Sequence, residues 1–250
     1  MTGVLKRFVW VAYDHLGGLV MANLLWSLLG LPWLAAGLAL ALVGAALGGA
    51  WFLVGLFLAT EMILLSPPSV ALVVFGLRWA RGQEAAWPSV LRAARRFGGR
   101  AQALGLIGLG VTVVLVVNVA FYSRFGGWVG LVLGGMAVWA LLIVSLIAVH
   151  LLPALVLLDG TVGATVLVAA RLAARRPLLS AGLLAATAAT IGLGLASGIG
   201  LLCGLLSLLF LLVAISSAGA LGWPGGPPRP EDSHRGLDDL LQPWRSSERA

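Results

Sequence analysis

Residues 16–77 contain a single ionisable side chain, Glu61. A water-soluble fold needs a polar face on each surface element, and sixty-two residues of this kind cannot supply one. In a bilayer the lipid is the solvent and no such face is required. Composition extends the argument to the whole chain. Of 250 residues 60% are apolar and 10% charged, and the mean hydropathy is +1.05, all far from a soluble domain. The expected fold is all-α: a polytopic transmembrane helical bundle in one domain, of about six spans, with cytoplasmic amphipathic helices.

A transmembrane helix needs about twenty apolar residues. Residues 1–17, with Lys6, Arg7, Asp14 and His15, form an interfacial lead-in. The spans are expected at 18–42, bent at Pro32, and at 50–75, broken at Pro67-Pro68. Between them the small residues from Gly44 to Gly49 make the turn. The third span is 101–122 and the fourth 128–152, stopping at Pro153, with Tyr122 and Trp128 marking the interface around the turn at Arg124. Two more, 178–197 and 201–218, join at Gly198-Ile199-Gly200. Residues 220–250 read as a disordered cytoplasmic tail, with one amphipathic turn from Leu237 to Leu241. The first apolar region is far longer than a 7–15-residue signal core, so it is expected to remain as an anchor.

Charge sets the orientation. The lead-in holds two cations, the stretch 78–100 six, the segment 171–176 three and the tail four, against Arg124 alone on the opposite side. By the positive-inside rule both termini are cytoplasmic. The net charge of +7 is carried at bilayer-flanking positions, so anionic lipid headgroups, not nucleic acid, are the expected partners. Fifteen of the sixteen cations are arginine; with abundant Ala, Gly and Leu this suggests a bacterium with a GC-rich genome.

Helical spacing in the basic stretch puts Arg92, Arg95, Arg96 and Arg100 on one face and Val90, Ala94, Phe97, Ala101 and Leu104 on the other. Such a helix is expected at the inner leaflet, arginines on phosphates and the Phe97 face at the acyl boundary. The alternative is docking of a cytoplasmic partner. Residues 89–95 align with 165–171, and Arg100 with Arg176, which suggests a repeated unit of hairpin plus cytoplasmic helix. Arg171, Arg175 and Arg176 then join the candidate lipid-headgroup or docking set.

Glu61 is the only acidic residue within an expected span. Burying a carboxylate there costs about 2.5–3.5 kcal/mol on insertion scales. It is the candidate substrate or proton site, against the alternative of a protonated or water-solvated side chain beside the Pro67-Pro68 break. His150, Asn23 and Asn118 are expected to hydrogen-bond between helices. Gly126, Gly130 and Gly134, and Gly194 and Gly198, stand at the four-residue spacing that lets helices approach. Cys203 is the sole cysteine, which excludes an intrachain disulfide, and reads as a small packing residue. No cofactor, metal site or catalytic residue is expected: nucleotide, zincin and nucleophile-elbow patterns are missing, so an enzyme is disfavoured.

Asn23-Leu24-Leu25-Trp26, Leu31-Pro32, Pro68, Leu77-Arg78, Arg81-Gly82-Gln83-Glu84, the arginine helix through Phe97, and then Pro153 and Asp159 together form a pattern. It resembles the YesL-like family of small bacterial integral membrane proteins, a domain family of unknown function. The departure is the long apolar stretch between Pro32 and Pro68, either an added crossing or an expanded bend. The resemblance implies association with carbohydrate uptake and carries over no catalytic residue. The expected function is a non-enzymatic accessory or regulatory component of a transport system. The alternative is a small transporter of two parallel repeats with Glu61 in the substrate or proton path.

Overall fold

The computed structural model describes residues 2–125, 127–197 and 204–222. Gly126, the Gly198-Ile199-Gly200 turn, Cys203 and the tail from Trp223, with its 237–241 turn, lie outside the described residues. The described chain is all-helical: α1 Thr2–Asp14, α2 Leu16–Leu29, α3 Leu31–Leu47, α4 Ala50–Leu64, α5 Pro67–Ala80, α6 Trp87–Tyr122, α7 Gly127–Leu158, α8 Val162–Arg175, α9 Pro177–Ser197 and α10 Leu205–Ala220.

Local chemistry sets most boundaries. Gly30 separates α2 from α3, whose first turn holds Pro32, where a missing N–H costs no helical bond. Ser66 is extended, as the residue before a proline prefers, and α5 begins on Pro67-Pro68 with its axis 59° from α4. Gly48 and Gly49 both have positive φ, +70° and +57°, and turn α3 back along α4.

That hairpin is tight. A Cβ on Gly44 would lie 2.9 Å from Gly55 Cα, and one on Gly55 would lie 2.7 Å from the Leu40 carbonyl oxygen. Glycines thus let two backbones touch. In the Gly126–Gly134 ladder the close approach falls at Gly130, where a Cβ would stand 2.7 Å from the Tyr122 carbonyl oxygen of α6; Gly134 meets only Tyr122 Cβ, at 3.7 Å.

Three expectations need correction. The basic stretch is not a separate interfacial helix: α6 runs unbroken for 36 residues, about 54 Å at 1.5 Å per residue. Its Phe97 face is buried in the protein core with Ala101 and Leu104, not left for acyl chains. The fourth span does not stop at Pro153, which sits inside α7; the helix continues to Leu158 because later residues regain i−4 partners. In the second half the break falls instead at Pro177. In the alignment that pairs Arg100 with Arg176, Ala101 lies opposite Pro177, and α8 ends where α6 goes on. The buried faces of the two copies coincide only at Phe97 and Ala173.

At the centre lie α5 and α10. Every residue of α5 from Pro68 to Leu77 is buried, as is Trp79. In α10 Leu209, Phe210, Leu211 and all of 213–217 are buried. Gly76 lets α10 come close, since a Cβ there would stand 3.2 Å from Leu211 Cα. Around this centre α6 and α7 turn Ile107, Val114, Val117, Leu131, Trp139 and Ile143 outward, each more than half exposed. Such a surface suits lipid, not water.

Gly44→Val is expected to overpack the hairpin and lower the melting temperature of the detergent-solubilised protein. The cost should be about 1–3 kcal/mol. Gly110→Ala, with open space around it, should leave melting unchanged or slightly raised.

Candidate functional site

Helix α4 carries Glu61 inward, 8% exposed. The opposing face of α6 is made of small residues. A Cβ on Gly105 would meet the Leu65 carbonyl oxygen at 2.9 Å, and one on Gly108 would meet Glu61 Oε1 at 3.0 Å. One turn further on, the buried Thr112 hydroxyl hydrogen-bonds to the Glu61 carboxyl. Glu61 Oε2 is buried and has no hydrogen-bond partner.

Glu61 also lines a partly open cavity of about 90 Å³ between α4, α7, α9 and α10. Most of the wall is apolar, with Phe57, Leu152, Leu184 and Phe210 among its residues. Its polar side chains, besides Glu61, are Thr60, Ser145 and Thr187. The Ser145 hydroxyl donates to the Leu141 carbonyl at 2.9 Å and the Thr187 hydroxyl to the Leu183 carbonyl at 2.8 Å. Val149 and Pro153 complete the α7 wall. Because proline has no N–H, the Val149 carbonyl lacks the i+4 donor it would have in an uninterrupted helix.

The other buried polar groups act as ties. His150 is fully buried; Nδ1 lies 2.9 Å from Ser217 Oγ and Nε2 2.8 Å from Ser180 Oγ, so the ring joins α7, α10 and α9. Asn23 Oδ1 accepts from the Ser207 N–H and hydroxyl, both at 3.3 Å, joining α2 to α10. Trp26 Nε1 donates to Ser69 Oγ at 3.0 Å, joining α2 to α5. Asn118 differs from expectation: its amide donates to the Val114 carbonyl of its own helix at 2.8 Å. An exposed asparagine finds the nearest acceptor, one turn back.

The arginines separate into two groups. Arg96 and Arg100 both pair with Asp159, Arg100 at 2.8 Å, and Arg100 also donates to the Gly160 carbonyl at 2.7 Å. These two guanidiniums flank the Phe97 ring at 5.6 and 5.1 Å from its centroid. They fasten α6 to the end of α7. Arg92, Arg95, Arg171, Arg175 and Arg176 are exposed. Farther along the same end, the Arg7 guanidinium donates to the Ala80 carbonyl, and His15 stacks on Trp79 with centroids 5.2 Å apart. Among the described residues no three His, Cys, Asp or Glu side chains gather as metal ligands.

The outward apolar belt and the helix lengths define an α-helical membrane protein. Three helices, α6, α7 and α9, are long and apolar enough to cross a bilayer, and up to five crossings result if the bent pairs α1–α2 and α4–α5 each make one. Searches of family models, curated proteins and solved structures find no match to this chain.

Sequence reading singled out Glu61 but not Thr112, Gly108 or the cavity wall. The stripe Ala101, Gly105, Gly108, Thr112 along α6 was the available signal. His150→Ala should lower stability by about 1–2 kcal/mol, since two serines lose a shared partner. Asp159→Asn should cost less than about 1 kcal/mol, because Asp159 and its arginine partners are partly solvated. Reversible unfolding in mixed micelles checks both.

Proposed function

We propose that the chain is a small, non-enzymatic membrane transport protein of six crossings, with both termini cytoplasmic and Glu61 in the substrate or proton path. The observation carrying this reading is a buried carboxyl, one oxygen unpartnered, on the wall of a cavity between four helices. A carboxyl kept at this depth is costly and is normally retained for a pathway. Counting α2–α3, α4–α5, α6, α7, α9 and α10 as crossings agrees with the charge asymmetry, fifteen cations against one. The length of α6 beyond the roughly 30 Å hydrocarbon core supports a cytoplasmic projection of its basic end.

A second reading is an accessory role beside a carbohydrate transporter, as the YesL-like resemblance implies. The exposed Arg92, Arg95, Arg171 and Arg175 favour it, being available to a partner or to anionic headgroups. Each would contribute about 1 kcal/mol at a lipid surface.

Purified protein alone in liposomes should take up at least one solute from a panel of labelled sugars and small amines, and Glu61→Gln should slow that uptake at least tenfold. If no solute is taken up and a transporter subunit co-purifies in mild detergent, the accessory role replaces it. Alkaline phosphatase fused at Gly82 should be inactive in cells; an active fusion would reverse the orientation.

A further inference from the structure

The cavity beside Glu61 is a cleft with a carbon floor. Leu209 and Phe210 of α10 are buried beneath it, while Phe57 and Thr60 of α4, Ala148 of α7 and Leu184 of α9 are half-buried around it. The mouth therefore lies between α4, α7 and α9. Little on the wall can hold a polar solute. The Glu61 carboxyl is engaged from α6 by Thr112, and its second oxygen is buried. The Ser145 and Thr187 hydroxyls donate to carbonyls of their own helices. Thr60 keeps a free hydroxyl, a single polar point.

Depth decides what reaches such a mouth. Helix α9 is long and apolar enough to cross a bilayer, so its first residues stand at an interface. The Arg176 carbonyl accepts from the Ser180 N–H at 3.1 Å, which carries the helical register back to Arg176. Leu184 and Thr187 follow two and three turns later on the same side, about 12 and 17 Å deeper. That is close to the middle of a hydrocarbon core about 30 Å thick, so the mouth opens among acyl chains. At the interfacial end, Arg171 and Arg175 share an exposed face of α8, and exposed Arg176 follows. None of the three pairs with an acidic side chain among the described residues.

We propose that this cleft binds one anionic phospholipid, its headgroup on Arg175 and Arg176 and the distal part of one acyl chain between α4, α7 and α9. The headgroup supplies selectivity, because the guanidinium fork matches phosphate oxygens. The chain supplies fit and not hydrophobic force, since lipid tails are as apolar as the wall. An unfilled cleft forfeits dispersion contacts along its lining. On the scale by which roughly 150 Å³ holds benzene, about 90 Å³ takes about four carbons. The site stands apart from the transport reading, since a lipid can fill the cleft whether or not a solute crosses.

The test is binding of labelled palmitoyl-oleoyl phosphatidylglycerol to the full-length protein in mild detergent, against protein-free micelles. Saturable binding of one equivalent is expected. It should be about tenfold weaker for phosphatidylcholine of the same chains, and for the protein carrying both Arg175→Gln and Arg176→Gln. Ala148→Leu, which extends into the cleft, should weaken the long-chain lipid about fivefold and leave dihexanoyl phosphatidylglycerol, too short to reach the cleft, unaffected. Unchanged gel filtration and melting would show that the variants fold. Non-saturable binding, equal binding of phosphatidylcholine, or no loss in the arginine variant would overturn the site. Equal long-chain binding by folded Ala148→Leu protein would reduce the arginines to a surface patch and overturn the cleft. If Ala148→Leu does not fold, the unaltered protein decides: dihexanoyl lipid bound as tightly as long-chain lipid, at equal mole fraction in the micelle, overturns the cleft. So would a dimer, seen by gel filtration, that binds no lipid.

Discussion

The contact between α5 and α10 supports the rest of the bundle. Each is short, 14 and 16 residues, about 21 and 24 Å, less than the hydrocarbon thickness of a bilayer. Both are buried along most of their length. Gly76 permits the approach, and the proline pair at 67–68 ends α4 and redirects the chain so that α5 enters the centre. The remaining helices wrap this pair and present apolar side chains outward. Buried serines and asparagine tie α2 to it, because in so apolar an interior each polar group must find a partner.

Proline placement explains why the two halves differ despite similar sequence order. Pro177 ends α8 and starts α9, whereas Ala101 at the matching place lets α6 continue. Pro153, by contrast, is carried inside α7, where the Val149 carbonyl loses its i+4 donor. The same residue type acts as a stop, a start or a local defect according to whether neighbouring helices compensate for the lost bond. One defect lies beside the buried carboxyl.

Legibility followed range. Turns at Gly48-Gly49 and at the 67–68 break were readable because glycine and proline act on adjacent backbone. His150 and Asn23 were readable as interhelical groups because a lone polar residue in an apolar run has few other options. Their partners Ser180, Ser217 and Ser207 were not, since serine is common and its pairing depends on helices far away in the chain. Asp159 as the counter-charge of Arg96 and Arg100 was equally hidden: it lies some sixty positions away. The Phe97 face was correctly phased but given the wrong cover, because helical period fixes which residues share a face and not what lies opposite.

By itself the sequence determined the solvent and the helical class, since these depend on composition and local pattern. It also singled out Glu61, whose cost in an apolar segment is a property of the residue alone. Only the tertiary structure decided that α5 and α10 form the centre and that Gly108 and Thr112 close on Glu61. It alone formed a mostly apolar cavity from four helices. Those outcomes depend on which helices pack together, and nearly uniform apolar surfaces carry little information about their neighbours until small residues and backbone breaks meet in space.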